Sequence, residues 1–192
     1  NMDNIRFEEI LQFIRTLYPN ENPVPLHELR FLGKEKEYLT QCIDTTYVSY
    51  VGQFVTDCEE HIKKLTSAHY VVAIANGTAA LHMALLAAGI NPGDEVITQA
   101  LTFVSTAAGI KHALAEPVFI DVEAETLGMS PEALRAFLKE NSTYKNATMI
   151  NKKTGKRIAA VIPMHTFGHP VRLDEISAIC NEYGLMLIED AA

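Results

Sequence analysis

Apolar and polar positions change period along this chain, and the change divides it. Over Asn4 to Leu17 the apolar residues Ile5, Ile10, Leu11, Phe13, Ile14 and Leu17 recur at roughly helical spacing, which predicts an amphipathic helix. Pro19 to Pro25 is a turn-rich connection. Gly33 to Thr45, with Leu39 and Ile43, predicts a second helix, and the stretch around Val55 to Leu65 a third. Between them lies Tyr47-Val48-Ser49-Tyr50-Val51-Gly52, aromatic and ended by glycine, which reads either as a linker strand or as a ligand-facing loop.

From Tyr70 onward short apolar runs alternate with helical patterns. Tyr70-Val71-Val72-Ala73-Ile74 reads as a buried strand, and the Ala-, Leu- and Met-rich Thr78 to Ala88 as a helix. Glu95 to Thr98 is a strand after an Asn-Pro-Gly-Asp turn, Thr102 to Leu114 a helix, and Pro117 to Asp121 a strand. Ser130-Pro131-Glu132 opens a helix that runs to about Glu140, with proline at its first position. Arg157 to Met164 is a strand, Leu173 to Tyr183 a helix closed by Gly184, and Leu185 to Ile188 a strand ending at Glu189-Asp190. This alternation implies an α/β fold with a mainly parallel sheet flanked by helices. Ligands of such sheets sit beyond the carboxyl ends of the strands, where Asn76-Gly77-Thr78, Thr102-Phe103, His165 and Asp190 all fall. A sheet whose last strand ends the chain keeps an open edge, so the expectation is an N-terminal part of a longer protein.

Composition narrows the function classes. Hydrophobic residues make up 48% and charged residues 21%, as in a globular protein with a substantial core. A net charge of −8 argues against a nucleic-acid surface, which needs clustered Lys and Arg. Lys152, Lys153, Lys156 and Arg157 form a small basic group, but Thr154-Gly155 in their midst reads as a solvated turn. Cys42, Cys58 and Cys180 have no metal spacing and read as reduced, partly buried thiols of a cytoplasmic protein. No apolar run is long enough to span a bilayer.

The most chemical stretch is Ala75-Asn76-Gly77-Thr78. At a strand-to-helix junction the first helical N–H groups are unpaired and the helix dipole adds partial positive charge. Gly77 lets a ligand approach the backbone and Thr78 offers a hydroxyl, which together suit a phosphate; an ordinary N-cap is the plainer alternative.

The order of motifs resembles the DegT/DnrJ/EryC1/StrS family of sugar aminotransferases, which use pyridoxal 5′-phosphate (PLP). The matching pieces are Asn76 to Leu81, Pro92 to Ile97, Leu101 to Ala107, Pro117 to Val122, Pro163 to Pro170 and Ile188 to Ala192, within a span from about Leu26 to Ala192. The insert Asn151 to Arg157, followed by His165-Thr166-Phe167-Gly168-His169-Pro170, is most similar to the legionaminic-acid-pathway (LegC) branch. The resemblance implies a PLP-dependent transferase of fold type I, aspartate aminotransferase-like, with residues 1–66 an N-terminal helical segment. Residues 67–192 would be the N-terminal part of the PLP-binding large domain, incomplete at the C-terminus. It implies amination of a nucleotide-linked 4-keto-6-deoxy sugar at C4, with glutamate as amino donor, for cell-surface glycan or nonulosonic acid synthesis. A homodimer is implied as well; no metal, nucleic acid or membrane is.

By the same resemblance Gly77 and Thr78 form the phosphate cup, and Phe103 stacks on the pyridine ring, where core packing at a helix start is the alternative. Asp190 faces the pyridine nitrogen rather than capping a helix, and His165 is either a cofactor contact or a hydrogen-bonded structural histidine. Tyr50 and Gly52 are substrate-side candidates. The family's Schiff-base lysine lies beyond the Asp190 motif, and none of the ten lysines here stands in a matching context, so this chain alone is expected not to turn over. Competing readings are an NAD-dependent dehydrogenase or epimerase, which would need a Gly-x-Gly-x-x-Gly run that Gly77 lacks, a non-catalytic PLP-binding or regulatory relative, and a helical assembly module.

Overall fold

The computed structural model describes residues 2–25 and 29–192, with side chains from Phe7 onward. Leu26, where the resemblance begins, and the side chain of Ile5 lie outside the described residues. The chain divides into two compact units, 1–71 and 72–192.

The first unit holds α1 (Met2–Leu17), α2 (Glu35–Asp44) and α3 (Gln53–Thr66), close to the expected helices. Of the described apolar positions of α1, Ile10, Leu11 and Phe13 are all more than half exposed, and Ile14 is half-buried. Tyr38 and Phe54 join α2 to α3 with ring centroids 4.9 Å apart. The Tyr47–Gly52 stretch forms neither strand nor helix.

The stretch in which the first unit ends and the second begins departs from expectation. Tyr70–Ile74 forms no strand: Tyr70 is 91% and Val72 74% exposed, and the run joins no ladder among the described residues. A β-branched run becomes a strand only when a neighbour pairs its backbone, and no described strand does so here. After it come α4 (Gly77–Ala87), β1 (Glu95–Gln99), α5 (Val104–His112), β2 (Glu116–Ile120) and α6 (Pro131–Asn141). Then follow β3 (Ser142–Lys145), β4 (Thr148–Asn151), β5 (Ile158–Ile162), α7 (Leu173–Tyr183) and β6 (Met186–Leu187).

The main sheet has the order β2-β1-β5-β6, and all its pairs are parallel. Every residue of β1 and β5 is buried because helices cover both faces. On one face α6 and α7 pack Leu134, Leu138, Ile176 and Ile179 against Ile97 and Val161; on the other α4 and α5 pack Leu81, Leu85 and Ile110 against Val96 and Ile162. In β5 the alternation slips at Ala159, where the register with Glu95–Val96 shifts by a bulge, so Ala159 and Ala160 both face α4 and α5. Gly109 allows the close α4–α5 approach, since a Cβ there would lie 3.1 Å from Leu81 Cβ.

Caps stand where the local chemistry puts them. Ser130 accepts the Ala133 N–H at 3.1 Å with Pro131 next to it, and Gly184 ends α7 at φ 62°. The antiparallel hairpin β3–β4 was not anticipated: its turn, Asn146-Ala147, has φ of 50° and 59°, and alanine is not a turn signal for that conformation. The turn at Thr154 is tied down rather than simply solvated. Buried Glu95 accepts from Asn151 Nδ2 and Thr154 Oγ1, each at 2.7 Å, which pins the loop to the N-terminal end of β1. Cys180 is buried, and burial pushes its thiol up to about 11, whereas Cys58 is exposed. Among the described residues no helix is long and apolar enough to cross a membrane, and no group of three or more His, Cys, Asp or Glu could hold a metal ion.

Candidate active site

The carboxyl ends of β1, β5 and β6 form a rim of the sheet, and most of the expected functional residues collect there. Asn76 caps α4, its side chain accepting the Ala79 N–H at 2.9 Å, so the N–H groups of Gly77 and Thr78 stay open among the described residues. A Cβ on Gly77 would meet nothing within 4 Å, so space is free beside the helix start. Thr78 Oγ1 donates to Ser105 Oγ at 2.9 Å. Ser105 lies in the first turn of α5, so the amino ends of α4 and α5 meet, and two helix dipoles favour negative charge at one place.

Phe103 is the N-cap residue of α5 and is 69% exposed. It does not fill the core, the plainer reading of an aromatic at a helix start, but stands exposed where α5 begins.

Asp190 lies at the opposite extreme of burial, 5% exposed. Strand pairing runs past β6 to hold it: Asp190 donates its N–H to Pro163 O at 3.0 Å and accepts the His165 N–H at 3.1 Å. Its Oδ2 accepts from Thr106 Oγ1 at 2.6 Å, and among the described residues its Oδ1 meets only the Ala192 N–H, at 3.5 Å. Among the described residues it has no ion pair. A buried carboxylate without a cation is costly unless something compensates it, and a hydroxyl neighbour leaves the negative charge uncancelled. Consecutive residues of α5 thus reach the two ends of the site, Ser105 to Thr78 and Thr106 to Asp190.

His165 has both ring nitrogens engaged within the chain. Nδ1 accepts the Val171 N–H at 3.2 Å, so Nε2 carries the proton of the neutral ring and points to Glu189 Oε2 at 3.3 Å. Its place is at the rim, where Nδ1 holds the 165–171 turn and Nε2 ties that turn to Glu189. Tyr50 and Gly52 belong to the first unit. Tyr50 is 89% exposed, and Gly52 starts α3 and lines, with Tyr47, Ser49 and Phe54, an open cavity of about 620 Å³.

Residue-by-residue reading missed Gln99, Ser105 and Thr106. Gln99 ends β1, wholly buried, and its amide ties three rim loops. Nε2 donates to Leu101 O and Thr166 Oγ1, while Oε1 accepts the N–H groups of Met129 and Met164. Farther along the rim Arg172 bonds Glu123, Glu132 and Glu175, which joins the loop after β2 to the starts of α6 and α7. The guanidinium lowers the Glu132 carboxyl to about 2, and the carboxylates raise Arg172 in turn. The signal for Ser105 and Thr106 was the cluster of hydroxyls in Thr102-Phe103-Val104-Ser105-Thr106 at a helix start.

Comparison with known proteins gives a consistent picture. The sequence profile of the DegT/DnrJ/EryC1/StrS aminotransferase family matches residues 32–192. GDP-perosamine synthase of Escherichia coli O157:H7 is 33% identical over 169 residues, which cover 88% of this chain and 42% of that protein. UDP-2-acetamido-2-deoxy-3-oxo-D-glucuronate aminotransferase of Pseudomonas aeruginosa is 34% identical over 142 residues, or 74% of this chain and 35% of that protein. Among solved structures, an aminotransferase from Psychrobacter cryohalolentis superposes with a TM-score of 0.73 at 29% identity, covering 88% of this chain and 39% of that one. The chain therefore spans less than half the length of these relatives.

Proposed function

We infer, because this chain belongs to the DegT/DnrJ/EryC1/StrS aminotransferase family, that it builds the cofactor end of an enzyme transferring an amino group to a nucleotide-linked keto sugar. Aminotransferases of this family work with PLP. The single observation that carries the reading is the pairing of opposites at the rim: a buried carboxylate at Asp190, without an ion pair among the described residues, beside open helix N-termini at Gly77 and Ser105. That arrangement suits a small molecule with a cationic ring nitrogen at one end and a phosphate at the other.

The residues fit the group. The N–H groups of Gly77 and Thr78 would hold the phosphate, aided by both helix dipoles, and the Phe103 ring would lie against the pyridine. The charge of Asp190 would keep a proton on the ring nitrogen. When bound, PLP supplies an electron sink for the negative charge that develops during amino transfer. Fixed N–H groups and a fixed carboxylate need no reorganisation as that charge appears.

The substrate we propose is a nucleotide-linked 4-keto-6-deoxy sugar, with glutamate as amino donor and a homodimer as the working form. The relatives support the class: one is a synthase of a GDP-linked sugar and another an aminotransferase of a UDP-linked 3-oxo sugar. The test is PLP titration of the purified protein, followed by borohydride reduction and intact-mass analysis. Saturable binding is expected, with no lysine of this chain capturing the cofactor. A charge-assisted hydrogen bond contributes about 1.5–3 kcal/mol, so Asp190→Asn should weaken binding about tenfold to a hundredfold. Equal affinity in wild type and Asp190→Asn would remove Asp190 from the site.

A further inference from the structure

Asp190 has its backbone fixed by strand pairing, but a carboxylate on a free side chain still turns, because its terminal torsion is broad. Something must aim it. Thr106, wholly buried in the first turn of α5, donates to Asp190 Oδ2 at 2.6 Å across 84 positions of sequence. Behind it Thr102 Oγ1 lies 2.7 Å from Thr106 Oγ1 and 3.3 Å from Met164 Sδ. A hydroxyl has a single proton, and Thr106 gives its own to the carboxylate. Only Thr102 can then be the donor in the 2.7 Å contact, its one proton turned to Thr106 Oγ1 rather than to Met164 Sδ, the longer of its two acceptors, and the order runs from Thr102 through Thr106 to Asp190.

We propose that Thr102 and Thr106 form a hydroxyl relay that positions Asp190, holding Oδ2 so that Oδ1 is the oxygen offered to the ring nitrogen. The inference rests on the cofactor reading above and adds the positioning residue to it. Neutral hydroxyls suit the task in a way that a cation would not. An Arg or Lys in the place of Thr106 would pair with the carboxylate and compete with the cationic ring, whereas a hydroxyl orients the carboxylate and leaves its charge for the ligand. Polarisation along the chain strengthens the last bond, which agrees with its short length. Oδ1, whose one contact among the described residues is at the outer limit of hydrogen bonding, is the oxygen with capacity to spare.

The test uses PLP labelled with ¹⁵N in the ring, bound to the wild-type protein and to Thr106→Val, Thr106→Ala and Thr106→Ser. In the wild type the ring ¹⁵N resonance should lie at the protonated position. Thr106→Val removes the hydroxyl at equal size; it should weaken binding roughly tenfold, the scale of one charge-assisted bond, and move the saturated resonance toward the unprotonated ring. Thr106→Ser restores the donor and should restore the resonance. A merely structural threonine would alter the melting temperature without moving the resonance of the bound ring. If Thr106→Val does not fold, Thr106→Ala carries the same expectation without the buried branched methyl. A folded, saturated Thr106→Val or Thr106→Ala with the wild-type resonance overturns the relay and leaves the cofactor reading intact. Failure of the wild type to bind PLP overturns the cofactor reading, and the relay with it.

Discussion

Gln99→Leu removes the amide that holds the rim together while nearly keeping the side-chain volume. Four hydrogen bonds disappear, with unequal consequences. Leu101 is 42% exposed, so its carbonyl can turn to water, and Thr166 Oγ1 keeps its bond to Leu127 O at 2.9 Å. The acceptor side matters more. Met129 N, which gave its proton to Gln99 Oε1 at 2.9 Å, belongs to a wholly buried residue and is left without a partner. Met164 N, at 3.1 Å, is left so in a half-buried place. An orphaned buried polar group costs about 1–3 kcal/mol, so the full cost at Met129 and part of it at Met164 suggest a loss of about 3 kcal/mol. The assay is urea denaturation followed by circular dichroism, with amide hydrogen exchange at Met129 and Met164. Both amides should exchange faster, and the rim loop bearing Phe103 should lose protection with them. A loss below about 1 kcal/mol with unchanged exchange at both amides would refute the reasoning, because it would mean that the amide's partners are replaced at no cost.

Other expectations follow from single contacts. A Cβ at Gly128 would lie 2.3 Å from Val171 Cγ1, and Val171 is itself buried, so Gly128→Ala should destabilise by about 1–3 kcal/mol, read as a lower urea midpoint; an unchanged midpoint would mean that the Val171 side chain yields freely. The hydrogen bond from Arg172 holds Glu132 down from the usual 4.5 to about 2. A lowered folded-state value means stability that is present above pH 4.5 and is lost as pH falls toward 2. The melting-temperature difference between wild type and Glu132→Gln should therefore narrow across that window, and a constant difference would contradict the pairing.

Local signals were legible. Ser130-Pro131 announced the start of α6, Gly184 the end of α7, and Asn76-Gly77-Thr78 the open amino end of α4, because caps depend on residues within a turn of each other. The placing of Phe103 and Asp190 at one rim was legible too, since parallel strands carry their loops to the same edge. Tyr70–Ile74 was misread because a β-branched run satisfies the local pattern whether or not a neighbour pairs with it. The hairpin at Asn146-Ala147 escaped because its positive φ values fall on residues other than glycine.

What the sequence by itself determined is the period of each segment, the caps, the alternation that makes a parallel α/β sheet, and the order of the family's motifs. These follow from interactions that reach a few residues along the chain. Only the tertiary structure decided that Thr106 gives its proton to Asp190, that Gln99 reaches a partner 67 positions away, and that Phe103 stays in solvent while Asp190 does not. Those outcomes depend on the register of β6 against β5 and on how α5 packs over β1. Register and packing are set by the whole core at once, so no window of sequence contains them.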